Sequence, residues 1–491
     1  MNGALPMPRH IGATVMAAVS ALAALALLAG CSAGTRYVRA APPLAAGWST
    51  ALPGMEAPGA TAAELAQWWR QLGDPVLSSM IDLALAGNRD VREAIARVNE
   101  ARAMQRETDA RALPQLGVAG SAARGRVSEN NRVPLHGIPN PTALYQGWFD
   151  ASWEADLFGA VRRAREAAAA DAARVDFDRE AVAVSVSAEV AVAYLRLRSA
   201  QAQLATLGDQ IAVAKETISI VAARVKAGLV SEFDLLRARE LLATLEARRP
   251  LVEAVAGVEM RRLGVLVGMQ ADSLLAELSV ARPPPQAVPQ LPAVVPADLL
   301  TRRADLRAIE RALAAENARA GVADADRYPR LSLSLTFGLL SIATGNLGSA
   351  ASAVWNTGVG VSAPIYDGGA LDARLAAARA RFEQAAIRYE SAAARAVEEV
   401  ESAALRYDGS RARREKLVEA VRADDEARKL SLVRYDGGLT DFLAVLDAQR
   451  QLFSLQDEEI VAREQALLHL VSLYKALGGG WDAQRYDASA R

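Results

Sequence analysis

Cys31 is the only cysteine in this 491-residue chain and stands directly after Leu28-Ala29-Gly30, where an apolar run from Ile11 ends. A lone thiol forms no disulfide framework within its chain, so its chemistry is that of a modifiable nucleophile. The other reactive side chains are scattered. The three histidines, His10, His136 and His469, stand at no metal-ligand spacing with each other or with Cys31. The sequence holds no glycine-rich phosphate loop followed by Lys-Ser/Thr and no Gly-x-Ser-x-Gly elbow. Acidic runs at Glu398-Glu399 and Asp424-Asp425-Glu426 read as solvated helix faces, because a perturbed catalytic carboxylate needs a cleft that the pattern does not supply. No enzymatic centre and no cofactor are expected. A formal net charge of −1 gives no reason to expect a nucleic-acid partner.

The leader containing Cys31 has two readings. With Arg9 as its basic start it could be an uncleaved membrane anchor of barely spanning length. Alternatively, residues 1–30 form a signal peptide and Cys31 becomes a lipidated amino terminus. The Leu-Ala-Gly-Cys sequence resembles the bacterial lipobox and favours the second reading, with S-diacylglycerol and N-acyl groups on Cys31. Ser32 rather than Asp at the next position implies outer-membrane sorting in that lipoprotein class.

The elements behind these residues occur twice. Aligned without a gap, Arg224/Arg434, Gly228/Gly438, Leu229/Leu439, Leu236/Leu446, Ala238/Ala448, Leu242/Leu452 and Leu245/Leu455 are identical pairs. Each copy reads as a helix end, a glycine-centred turn and a second helix opening at Ser231 or Asp441. A second alignment pairs Asp90-Val91-Arg92 with Asp305-Leu306-Arg307, and Leu113-Pro114-Gln115-Leu116 with Tyr328-Pro329-Arg330-Leu331. After each proline the period changes from helical to alternating. Leu331, Leu333, Leu335 and Phe337 alternate with serines and a threonine. Trp355, Thr357, Val359, Val361, Ala363 and Ile365 share one face of the next strand, and Phe149, Ala151, Trp153, Ala155 and Leu157 one face of its first-half counterpart. Each half is thus expected to carry a strand pair, with polar tips at 124–141 and 341–352.

Long helices follow the strands. From residue 160 to 225 there is no proline, and two seams recur: Val190, Leu197, Leu204, Ile211, Ile218, Val225, and Val186, Ala193, Ala200, Leu207, Ala214, Val221. That is a coiled-coil pattern, and at about 1.5 Å per residue it reaches on the order of 100 Å. Pro250 is expected to kink or split the return helix from Ser231. The second return helix keeps a seam at Leu446, Phe453, Ile460, Leu467 and Tyr474, while Arg414 and Arg428 interrupt the seam of the helix before it. A first helix is expected near Thr61 or Ala62, carrying Trp68-Trp69, and a second from Asp74-Pro75 to about Ala112. The domain plan is 1–30 signal peptide, 31–63 extended lead, 64–280 first repeat, 281–297 Pro-rich linker, 298–480 second repeat and 481–491 tail.

Four strands per chain close no membrane barrel, because single-chain barrels begin at about eight strands and lipid tolerates no open edge. Membrane-spanning strands would therefore be pooled by several chains, two giving eight and three giving twelve. Small soluble hairpins remain the alternative.

The lipobox, the duplicated strand–helix plan, the run Leu439-Thr440-Asp441-Phe442-Leu443-Ala444-Val445-Leu446-Asp447-Ala448-Gln449 and the closing Leu473-Tyr474-Lys475-Ala476-Leu477-Gly478-Gly479-Gly480-Trp481 resemble the outer-membrane efflux channel family, TolC/OprM-like, in its lipoprotein branch of the NodT type. The resemblance implies an α+β membrane protein: a homotrimer with a 12-stranded transmembrane β-barrel continued by a long α-helical coiled-coil periplasmic barrel. It also implies a passive duct in the outer membrane that exports drugs or other small toxic solutes. The implied partners are a periplasmic adaptor protein and an inner-membrane transporter of the resistance-nodulation-division (RND) type. It places adaptor contacts at the hairpin tips, Gly228, Leu229, Val230, Ser231 and Gly438, Leu439, Thr440, Asp441. It places a gate before the tip tyrosine, Tyr435. There the chain departs from the family pattern, since Arg428 to Arg434 contains no acid. The expectation is instead a hydrophobic constriction at Leu432 with Asp425, Arg428 and Asp436 pairing around it, beside Arg434 and Tyr435. Two rivals stay open: an outer component of a type I-like protein secretion system, and a lipid-anchored periplasmic coiled-coil tether without a pore.

Overall fold

The internal repeat becomes two copies of one plan in the computed structural model, which describes residues 34–39, 42–45, 47–49, 65–126, 128, 130, 139–269, 271–285 and 294–482. Cys31, most of the lead, the centre of the linker and the last residues of the tail lie outside these. The first copy runs α1 (Pro75–Gly87), α2 (Arg89–Ala110), β1 (Gln115–Gly125), β2 (Thr142–Ala155), α3 (Ala160–Lys226), α4 (Glu232–Val267) and α5 (Ala271–Leu278). The second runs α6 (Ala304–Ala325), β3 (Arg330–Ser341), β4 (Ala353–Ser362), α7 (Ala370–Asp436) and α8 (Phe442–Ala476). Helix α5 is an element the sequence reading did not name.

Two compact units divide the chain. Asn99–Arg174 and Ile309–Arg388, with residues of Met1–Ala40, form the unit that holds the strands. Its sheet is a single antiparallel ladder, β1-β2-β3-β4. The expected strand pairs are present, and β2 also pairs with β3, so the halves share one sheet. Strand β4 stops at Ser362, and β2 at Ala155. Ala363 and Ile365 therefore leave the strand face assigned to them, because Pro364 brings no N–H to a ladder. The outer edges of β1 and β4 carry no partner among the described residues.

In the other unit, Ala41–Val98, Val175–Ala308 and Tyr389–Arg491 build helical hairpins. The seams read from the sequence are inside: Val190, Leu197, Val186, Ala193, Ala200, Leu207, Ala214 and Val221 are buried on α3. Toward the tip, Leu207, Ala214 and Val221 join Leu235, Leu241 and Leu245 of α4 and Val445, Leu446, Leu452 and Phe453 of α8 in one apolar cluster. A polar layer interrupts it, where Gln449 Nε2 donates to Thr217 Oγ1 at 2.8 Å and Gln210 Nε2 to Gln456 Oε1 at 3.0 Å. Buried polar side chains of this kind fix which turn of one helix meets which turn of its neighbour.

Three expectations about helices change. The helix expected from Asp74 to Ala112 breaks at Asn88, whose Oδ1 accepts from the Asp90 and Val91 amides at 2.8 and 3.2 Å while Nδ2 donates to Leu266 O at 2.8 Å. A Cβ on Gly87 would meet Val267 O at 2.6 Å, so close approach of the α4 end selects a Gly-Asn break. Pro250 does not split α4, which continues through it. Pro250 faces solvent, where the carbonyl it displaces can turn to water. Trp68 and Trp69 sit in a short 3₁₀ helix, Trp68–Leu72, rather than an α-helix.

Around that turn lies the aromatic core. Trp68 stacks on Tyr474 at 5.2 Å between ring centroids, and Tyr194 Oη donates to Asp74 Oδ2 at 2.7 Å. The closing Gly478-Gly479-Gly480-Trp481 is explained by packing. Gly478 has φ 78° and Gly480 φ 102°, and a Cβ on Gly478 would meet Arg302 O at 2.8 Å. Only glycine lets the chain turn there and deliver Trp481, whose Nε1 donates to that same carbonyl at 2.7 Å.

Candidate functional site

Each hairpin tip is set by one left-handed glycine. Gly228 (φ 74°) follows α3, and the amides of Gly228 and Leu229 donate back to Val225 O and Arg224 O, both at 2.9 Å. Gly438 (φ 71°) repeats this with Tyr435 O at 3.0 Å and Arg434 O at 2.8 Å. These bonds satisfy the last helical carbonyls, and a side chain there would strain the turn. The next helices start as the sequence indicated. Asp441 Oδ1 accepts from the Ala444 amide at 3.1 Å, and Asp234 Oδ2 accepts from the Ser231 amide at 3.3 Å. The turns leave Leu229 72% and Leu439 73% exposed, with Val230 and Thr440 half-buried beside them. Each tip thus presents one exposed leucine to solvent.

The gate residues do not form one cluster. Arg428 Nη2 pairs with Asp425 Oδ1 at 3.2 Å, and Lys429 Nζ with Asp425 Oδ2 at 2.8 Å. The hydrogen bond from Lys429, with Arg428 adding to it, holds the Asp425 carboxyl below its ordinary range. At the preceding residue, burial pushes the Asp424 carboxyl up. Asp436 does not join the Asp425–Arg428 pair, contrary to expectation. It meets Arg224, whose Nη2 lies 3.2 Å from Asp436 Oδ1. Leu432 is half-buried against the apolar cluster of the hairpins, and the exposed apolar residues of this stretch are Leu430 and Val433. Arg434 is exposed.

Tyr435 is 3% exposed, packed beside Phe442 at 5.8 Å between centroids. Its ring lies under the Arg224 guanidinium, 4.2 Å from ring centroid to Cζ, and Arg224 Nη1 donates to Tyr435 O at 3.1 Å. Arg224 thus clasps the end of α7 to the end of α3 through a ring face, a carbonyl and a carboxylate. The sequence reading counted Arg224 only as a repeat partner of Arg434. The missed signal is that the aromatic is not repeated: Tyr435 aligns with Val225, so only one of the two arginines has a ring to stack on.

The sheet has two unlike faces. Cα partners across the ladder put Val118, Phe149, Phe337 and Trp355 in one row, with Leu335, Leu333, Trp153, Val359, Leu331 and Val361 on the same side. The opposite side carries Gln115, Ser152, Asp150, Glu154, Ser332, Ser334, Thr336 and Asn356, with Trp148, Leu340 and Val354 on the same side toward the hairpin tips. The large residues are in the open: Val118 is 73% exposed, Phe149 66% and Trp355 73%. So extensive an exposed apolar face, in a sheet whose outer edges have no partner among the described residues, is unusual for a surface in water.

Elsewhere His469 Nδ1 lies 2.7 Å from Ser410 Oγ, a bond between helices. Among the described residues no group of three or more His, Cys, Asp or Glu could hold a metal ion, and no helix is long and apolar enough to cross a membrane. Cys31, expected from the sequence to be lipidated, lies outside the described residues.

Comparison with known proteins gives a consistent result. The model of the family described as outer membrane efflux protein matches residues 80–266 and again 295–479, one match per repeat. The chain is 30% identical over 465 residues to the probable efflux pump outer membrane protein SepC of Pseudomonas putida, covering 93% of this chain and 95% of that one. It is 31% identical over 464 residues to the solvent efflux pump outer membrane protein SrpC of Pseudomonas putida, covering 94% and 98%. Among solved structures, the outer-membrane channel OprN superposes with a TM-score of 0.84 at 32% identity, covering 92% of this chain and 100% of that one.

Proposed function

Since the chain belongs to the outer membrane efflux protein family, we propose that it is the outer-membrane channel of a tripartite efflux pump, a passive duct for drugs or other small toxic solutes. The observation that carries this reading is the sheet: four strands with one exposed apolar face, one polar face and two unpaired edges. In lipid such edges must be closed by other strands. Three protomers supply twelve strands in one barrel, the apolar faces toward lipid and the polar faces toward a water-filled lumen. The seam-packed α3, α4, α7 and α8 form the periplasmic tunnel of the trimer. A tether without a pore would have no use for a sheet polar on one side and apolar on the other.

The partners follow from the amino terminus and the hairpin tips. Acylation of Cys31 anchors the amino terminus in the outer membrane. The tips at Gly228–Ser231 and Gly438–Asp441 present their exposed leucines to a periplasmic adaptor, which links the duct to an RND-type inner-membrane transporter. The clasp of Arg224 on Tyr435 and Asp436, with the Asp425–Arg428 pair and Leu432 behind it, holds the resting mouth. Adaptor binding opens the mouth to the extent that it prefers the parted hairpins over the clasped ones. No chemistry on the cargo is required.

Purified oligomer in planar lipid bilayers tests the proposal. Discrete conductance steps, from a species that cross-linking counts as three chains, are expected. A monomer that stays in water after removal of its acyl chains, with no conductance, would overturn it.

A further inference from the structure

Two adjoining cavities sit within the strand-bearing unit. One, about 520 Å³, is lined in part by Gln115, Ser152, Glu154 and Ser332 of the polar sheet face. The other, about 510 Å³, lies among α2, α3, α6 and α7. They share Arg111, Ala164, Val322 and Asp326, so a single concavity leads from the polar face of the sheet to the helices.

Its charges are unequal. Arg319 is answered by Asp171 and, at 2.6 Å, by Glu316, and Arg330 by Asp326 at 2.5 Å. The side chains of Arg111, Arg374 and Arg381 line the second cavity and have no carboxylate or hydrogen-bond partner among the described residues. Opposing them is Glu154 at the sheet end, with Asp150 further along the same face. Alanines 164, 167, 168, 377 and 378 make up much of the remaining wall and leave room beside the guanidiniums. Arginines left unpaired in a shared concavity focus a positive potential. Their planar N–H forks match the oxygens of phosphates and carboxylates, two at a time.

We infer that Arg111, Arg374 and Arg381 form a cationic collar in the lumen that binds solutes bearing several phosphate or carboxylate groups. The assignment rests on the channel reading, which turns the polar sheet face inward and repeats the collar in each protomer. A polyanion engages several of these guanidiniums at once, whereas a simple monoanion meets one at a time and passes. The collar makes the duct selective for anionic cargo at a point remote from the helical tips.

Inositol hexakisphosphate is the probe, applied to the purified oligomer in planar bilayers and, separately, to the detergent-solubilised oligomer in an equilibrium binding assay. It is expected to block conductance reversibly, while the polycation spermine does not. Raising the salt to molar concentration should weaken the block, because the screening length falls to about 3 Å. The double substitution Arg374→Gln, Arg381→Gln removes exposed side chains and is expected to leave conductance intact while weakening block and binding on the order of tenfold or more. Normal conductance with no block, or a block the substitutions leave unchanged, overturns the collar. Absent conductance with binding that the substitutions abolish retains the anion site and overturns the duct.

Discussion

Arg224 has three acceptors within reach: the Tyr435 ring at 4.2 Å, the Tyr435 carbonyl at 3.1 Å and the Asp436 carboxylate at 3.2 Å. A lysine could keep the charge but not the planar stack and the fork together. Arg224→Ala is expected to cost about 1–2 kcal/mol of local stability and to raise the open probability of the reconstituted channel, with Arg224→Lys between the two. If Arg224→Ala conducts like the parent, the clasp does not hold the mouth. The Asp425 cluster carries a pH dependence. Its carboxyl titrates below the ordinary 3.8 because Lys429 and Arg428 bond the charged form. Depressed in the folded state, it contributes stability that is present above pH 3.8 and is lost as the pH falls through the lowered value. The thermal midpoint of the protein minus that of Asp425→Asn should therefore be flat from neutral pH down to 3.8 and close toward zero below it. The gap is small, since Lys429 is exposed and Asp425 only half-buried.

At the scale of the element, the sheet makes the sharper prediction. Phe337 lies mid-strand on the apolar face, opposite Phe149 and Trp355, and Thr336 points the other way. Phe337→Arg is expected to cost about 2–4 kcal/mol in the bilayer and to deplete membrane-inserted oligomer. Thr336→Arg should insert normally, as counted by membrane fractionation. Equal tolerance of both would mean that the Phe337 face does not meet lipid. That two-faced alternation was legible in the sequence, as were the hairpin glycines and the α3 seams, because each is a local period or a single-residue backbone demand. The break at Asn88 was not, since its cause is the α4 end, Leu266 and Val267, arriving from far along the chain. Nor was the pairing of β2 with β3, which joins strands from different repeats. The unbroken course of α4 through Pro250 depended on the residue facing solvent, which a proline alone does not reveal. The proposed gate was legible only as a stretch: Tyr435 and Asp436 were named, but Arg224 lies on another helix far back in the chain and meets them through tertiary packing.

At the scale of the whole molecule, the unsatisfied edges of β1 and β4 decide the assembly. Every neighbouring pair in the sheet is antiparallel, so β1 and β3 run one way, β2 and β4 the other. A β4 edge meeting the β1 edge of a second copy is then antiparallel too, and the ladder continues around a closed barrel without a change of rule. Dimer and trimer both satisfy this, with eight or twelve strands, so strand direction alone does not choose between them. Cross-linking does. With the Cys31 thiol taken up by acylation, one cysteine replaces Val118 in β1 and a second is scanned along Trp355, Thr357 and Val359 in β4. At the register that brings the edges together, oxidation is expected to give a denaturation-resistant ladder of one, two and three chains and nothing above. A ladder ending at two identifies the eight-stranded barrel. Monomer at every position would mean that the edges never meet, and the polar face of the sheet would then enclose no lumen for the arginine collar to guard.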